Sequence, residues 1–159
     1  MKAYKFLVCW VALAALLISC APQHSQQILL YYYDPELDRD ASGNIQCTNA
    51  GLVPVQRKLP TSLFGEALIE ETIRLLIAGE LTAEERGQGI TTEFPIEDLV
   101  LTGASPEGGE LTLSFEDPGF RTSGGACRAA ILWAQIEATA LQFPGVEQVR
   151  FSPEDLFQP

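Results

Sequence analysis

The sequence predicts an α/β (α+β) fold: a two-layer sandwich in which one mixed sheet carries two helices on one face, in the order β-β-α-β-β-α-β. Three observations predict it. Leu68 to Ile77 and Ala129 to Phe143 repeat apolar residues at helical spacing, ELTLSFE from Glu110 to Glu116 alternates with period two, and ILLYYY from Ile28 to Tyr33 is apolar on both faces. Helices with one apolar stripe and strands with one or two apolar faces are satisfied together when one layer covers the other. A chain of 159 residues holds one such core and hardly two.

The first nineteen residues stand apart from that core. Lys2 and Lys5 precede an apolar run from Phe6 to Ile18 that is too short to span a bilayer with ease, and Leu17-Ile18-Ser19-Cys20 follows. The run reads as an export signal, and its ending resembles a bacterial lipobox, which implies cleavage before Cys20 and lipidation of that cysteine. The expected organisation is a signal peptide over 1–19, a tether over 20–27 and a folded domain over 28–159. Ala21 to Gln27 is short and polar, as a tether should be, and contains His24, the only histidine.

Ile28 to Tyr33 should be an inner strand. The acidic loop from Asp34 to Cys47 places Asp38, Asp40 and Ser42 at alternate positions before Gly43, like the first half of an EF-hand calcium loop. Position twelve is Asn49 where a bidentate carboxylate is needed, and neither flank reads as a helix, so a solvated turn accounts for the same residues. Calcium is the one cofactor the chain suggests. Leu52 to Lys58 is a second strand, placed at an edge because Pro54 cannot donate to a ladder, and that exposed edge could pair copies into a homo-oligomer.

Thr61 or Ser62 caps a helix running to about Ala78, with Gly79 at its C′ position and Glu70 and Arg74 one turn apart. Thr82 and Glu85 form a candidate capping box for a short helical turn. Leu99 to Leu101 is a strand, Pro106 to Gly109 a turn, and ELTLSFE the returning strand with Leu111, Leu113 and Phe115 inward. Ser123-Gly124-Gly125 opens the second helix, Pro144-Gly145 closes it, and Val146 to Phe151 is the last strand. On that helix Ala129, Leu132, Trp133, Ile136, Ala140 and Phe143 form the stripe, and Gln135, Thr139 and Gln142 lie off it. Trp133 and Tyr31 to Tyr33 are the expected large core residues.

The run Ala134-Gln135-Ile136, then Thr139-Ala140-Leu141-Gln142-Phe143-Pro144-Gly145-Val146 and Val149, resembles the closing signature of the GerMN (Germane) domain, with Ala140 where leucine is more usual. The resemblance extends over about residues 28–151. It implies a part in envelope or peptidoglycan-associated assemblies, in a family linked to sporulation and spore germination, and a likeness to the ring-building domains of secretion-type assemblies.

Charge and residue counts narrow the chemistry. Removal of Lys2 and Lys5 with the signal leaves eight basic residues against 21 acidic ones, a net charge of −13, which repels nucleic acid and anionic headgroups. Cys127, in the first turn of a helix, would have a lowered thiol pKa but lacks a base, because His24 sits in the tether. The same shortage excludes a Ser-His-Asp triad and a His/Cys zinc site. With Cys9 in the signal and Cys20 at the lipobox, Cys47 and Cys127 remain for the exported domain, where a disulfide between them is expected. An anion at Ser123-Gly124-Gly125 is disfavoured by the acidic surroundings.

The leading expectation is a non-catalytic, extracytoplasmic module held to a bacterial membrane by lipid on Cys20, with an envelope protein or peptidoglycan-associated partner. The alternatives are a calcium- or small-ligand-binding lipoprotein using Asp38, Asp40 and Ser42, and an accessory to a peptidoglycan hydrolase.

Overall fold

The computed structural model describes residues 24–158, so the leader and Cys20 lie outside the described residues. The strands are β1 (Ser25–Tyr33), β2 (Leu52–Pro60), β3 (Val100–Glu107), β4 (Glu110–Glu116) and β5 (Gln148–Ser152). The helices are α1 (Gly65–Ile77), a short α2 (Ala83–Gly87) and α3 (Ala126–Ala140). Order and type follow the sequence reading, and the class is mixed α/β. No helix among the described residues is long and apolar enough to cross a membrane.

The expected single mixed sheet is divided in two. β1 and β2 form an antiparallel pair, and β3, β4 and β5 form a separate sheet in that order, antiparallel between β3 and β4 and parallel between β4 and β5. The division has a specific cause: side chains from helices occupy the strand edges along which a single sheet would join. The Gln142 amide binds both backbone groups of Leu29, accepting from its N–H at 2.8 Å and donating to its C=O at 2.7 Å. The Thr139 hydroxyl accepts from the Tyr31 N–H at 3.0 Å. A primary amide carries the donor and acceptor of a peptide group, so Gln142 takes the place of one residue of a neighbouring strand. On β3, Arg74 of α1 donates to the Leu101 carbonyl at 2.9 Å, beside a register shift between Leu101 and Gly103.

The same geometry explains Pro54. Tyr31 turns its N–H to α3, away from β2, so its partner Pro54 stands in a pair that exchanges no ladder bonds, and the missing donor would have faced outward. β1 begins at Ser25, earlier than the expected Ile28, because Gln26 binds the carbonyls of Pro60 and Leu63 and extends the pairing. α1 starts later than expected, at Gly65. Its N-cap position is held by Phe64, which has no capping bond and is 80% exposed. Gly79 ends the helix at φ +66, and a Cβ there would lie 2.0 Å from the Phe94 carbonyl oxygen, so only glycine fits. The β3–β4 turn is Gly108-Gly109 with both φ positive, which leaves Pro106 inside the strand.

α1 and α3 pack on each other and on both sheets. Tyr32, Leu30, Ile73, Leu76, Leu132 and Ile136 are fully buried between them. A second centre is aromatic: Phe115, Phe151 and Phe157 meet with ring centroids 4.8 to 6.1 Å apart, and Trp133 stands edge-on to Phe151 at 4.6 Å. Phe157 comes from the C-terminal tail, which folds back after β5 and buries Leu156 and Phe157.

Candidate functional site

Asp38 is buried, and its two oxygens accept from the Tyr33 hydroxyl and from the backbone N–H and hydroxyl of Thr48. Burial pushes its carboxyl up, but the bonds from Thr48 and Tyr33 outweigh this and leave it below its ordinary value. The Tyr33 phenol is raised, by burial first and by Asp38 second. Asp40 serves a different set: it accepts from the N–H groups of Ser42 and Asn44 and from the amides of Asn44 and Gln46. The two carboxylates share no partner, and each closes the loop onto its own backbone. Ser42 is exposed on the turn. Among the described residues no group of three or more His, Cys, Asp or Glu is placed to hold a metal ion.

Cys47, at the end of this loop, is joined to Cys127 in the first turn of α3, with Cα atoms 5.2 Å apart across a separation of 80 residues. The bond ties the acidic loop to the start of the helix whose far end holds β1.

Arg57 of β2 meets Glu85 of α2 in a two-pronged pair at 2.7 and 2.8 Å, and Glu85 also accepts from the Thr82 N–H as the reciprocal half of the capping box. Hydrogen bonding from Arg57 holds the Glu85 carboxyl down at about 2. Tyr32 lies within the field of this pair. Its phenol is pushed up to about 12 by burial and has no hydrogen-bond partner among the described residues.

Several grooves open on the surface. One, of about 310 Å³, lies beside β5 and is lined by Trp133, Val149 and Phe151 together with Glu110, Gln148, Arg150 and Glu154. Another, of about 510 Å³, is lined by Leu81, Ile90, Phe94 and Arg86, between α1 and β3 in the chain. A third, of about 520 Å³, runs along Val53 to Gln56 of β2 and reaches Glu85.

The polar residues of α3 were legible as a pattern that the sequence reading left off the apolar stripe. Gln135, Thr139 and Gln142 are spaced i, i+4, i+7 and so share one face. Gln135 and Thr139 are fully buried. Gln135 accepts from the Thr92 hydroxyl at 3.1 Å and donates to the Ile131 carbonyl, which fixes the segment before β3. These side chains belong to the run that closes the domain, and their partners are backbone groups of β1 and a hydroxyl of the 91–95 segment.

The family model described as "Germane: Sporulation and spore germination" matches residues 29–155, from β1 through the turn after β5. The chain belongs to the Germane family. Among solved structures it is similar to the tandem GerMN domains of the sporulation protein GerM from Bacillus subtilis, at 20% identity and TM-score 0.56 over 84% of this chain. The chain spans 41% of that tandem. A candidate lipoprotein from Clostridium perfringens is similar at 15% identity and TM-score 0.42, over 84% of this chain and 78% of that one. No curated protein matches significantly. The Germane match takes in the run that carries Gln135, Thr139 and Gln142, and in this fold Thr139 and Gln142 cap the edge of β1 while Gln135 holds Thr92.

Proposed function

We propose that this Germane domain is a non-catalytic, extracytoplasmic interaction module, held to a bacterial membrane through lipid on Cys20 and acting in assembly of envelope proteins. The observation that carries the reading is how the polar side chains are used. Gln142 and Thr139 are spent on β1, Arg74 on β3, Asp38 on its own loop and Glu85 on Arg57. The carboxylates with lowered pKa therefore have structural partners, whereas acid-base chemistry needs such groups turned towards a substrate. The leader and its Cys20 support the membrane tether, and the family's link to sporulation and spore germination supports an envelope setting.

Two measurements test it. An alkyne-tagged fatty acid fed to the native cells should label the chain, and Cys20→Ser should abolish the label. A photo-crosslinking residue placed in turn at the exposed positions Gln56, Phe64, Phe120 and Gln148 should give a discrete protein adduct from at least one of them; silence at all four positions would remove the interaction role.

A further inference from the structure

We propose that the outer edge of β5 is the docking edge of this module and receives an extended segment of a partner protein, apolar at alternate positions and basic between them. The inference rests on the interaction role above and names its surface. Gln148 turns its N–H to Gly109 on the β4 side, so Gln148, Arg150 and Ser152 face β4, and Val149 and Phe151 present their N–H and C=O groups on the other side. Among the described residues no side chain or loop backbone is bonded to those outward groups. The other edges carry devices that this one lacks: β1 is closed by Gln142 and Thr139, Arg74 binds a carbonyl of β3, and β2 lacks a donor at Pro54 and has its Gln56 carbonyl bound by Arg57, with the Gln56 and Lys58 N–H groups unbonded among the described residues. Strand edges left without such a device are where chains pair.

Val149 and Phe151 are 8% and 2% exposed with their side chains in the core, both line the groove beside β5, and their outward backbone groups have no partner among the described residues, which a second backbone would supply. The groove beside them has a volume of about 310 Å³. Its lining includes Trp133, Val149 and Phe151, which suits an apolar side chain, and holds Glu110 and Glu154 around the single cation Arg150. Two carboxylates to one guanidinium leave the lining net negative, in a chain with 21 acidic and 10 basic residues, so the alternate positions of the occupant are basic.

The chain has two tryptophans, Trp10 and Trp133, so Trp10→Phe makes Trp133 the only indole and its emission a reporter of the groove. The full chain with that change, in detergent, is titrated with a seven-residue peptide alternating valine and lysine, with its valine and glutamate counterpart, and with chitotetraose. The lysine peptide is expected to shift Trp133 emission saturably, with the glutamate peptide at least several-fold weaker. Glu154→Lys, at a side chain 81% exposed, should weaken the lysine peptide about two- to five-fold, the range of one exposed ion pair. Val149→Pro, which removes one outward N–H as Pro54 does on β2, should abolish the response; if that variant fails to fold by circular dichroism, Glu154→Lys decides. No shift with the lysine peptide, equal response to both peptides, no effect of Glu154→Lys, or a shift produced by the saccharide alone would each overturn the assignment. Crosslinking from Gln56, Phe64 and Phe120 reports on the interaction role independently of this edge, so a failed titration removes the edge and leaves that role standing.

Discussion

Replacing Glu85 by glutamine isolates the ion pair that fastens α2 to β2. Arg57 and Glu85 are only 23% and 14% exposed, and both guanidinium nitrogens reach the carboxylate. Arg57 holds the Glu85 carboxyl at about 2 in the folded chain, against an ordinary 4.5. A folded value below the unfolded one means that the stabilisation is fully present above about pH 4.5 and is lost as pH falls towards 2. That difference corresponds to about 3 kcal/mol, trimmed to about 2 by water at the exposed rim of the pair. Glutamine retains the capping-box bond to the Thr82 N–H, so the substitution removes charge and spares the cap. Urea unfolding followed by circular dichroism from pH 7 to pH 2.5 is the assay. Glu85→Gln should be less stable by about 2 kcal/mol at pH 7, and the two curves should converge as Glu85 is protonated. A gap that stays constant across the range, or no gap at pH 7, would refute the reasoning.

Phe157→Ala empties a site enclosed by Phe115 and Phe151 and should cost about 3 kcal/mol or more in the same unfolding assay; a loss under about 1 kcal/mol would mean that the tail is not part of the core. Gly79→Ala must place a methyl carbon 2.0 Å from the Phe94 carbonyl oxygen at positive φ, so it should destabilise by more than about 2 kcal/mol, and a near-neutral effect would contradict the helix end described. Reduction of Cys47–Cys127, which closes a separation of 80 residues, should lower stability by about 4 kcal/mol in the chain-entropy account; free-thiol labelling of both cysteines without reductant would show that the bond is not formed.

The elements were legible because each has a short-range signature. The period-two run of β4, the stripes of α1 and α3, the capping box of Thr82 and Glu85 and the glycine after α1 all act within a few residues. What escaped the sequence acts at long range. Glu85 finds Arg57 across 28 positions and Gln142 finds Leu29 across 113, and no local pattern records a pairing of that kind. The division into two sheets follows from the second of these, because a side-chain amide on a helix satisfies the strand edge that a pattern of apolar residues would assign to another strand. Leu156 and Phe157 were unread because two apolar residues in a tail of polar ones carry no periodicity, and their burial depends on the gap that Phe115 and Phe151 leave. Trp133 packs against the core as expected and is partly buried, because it stands at the end of the aromatic cluster and borders the β5 groove. In the acidic loop Asp38 and Asp40 were legible as carboxylates at alternate positions. Their separate hydrogen-bond sets depend on Tyr33 and Thr48, which flank the loop on either side.

The claim that the signature's polar residues serve the fold is tested most directly by amide hydrogen exchange at Leu29 and Tyr31, which have no strand on their α3 side. In the wild-type chain both amides should be protected to nearly the degree of the β1–β2 ladder amides, and Gln142→Ala should release Leu29 selectively and lower stability by about 1–2 kcal/mol, the cost of leaving a half-buried backbone pair unmet. Exchange of Leu29 at the rate of an open loop in the wild type, or unchanged protection in Gln142→Ala, would contradict it.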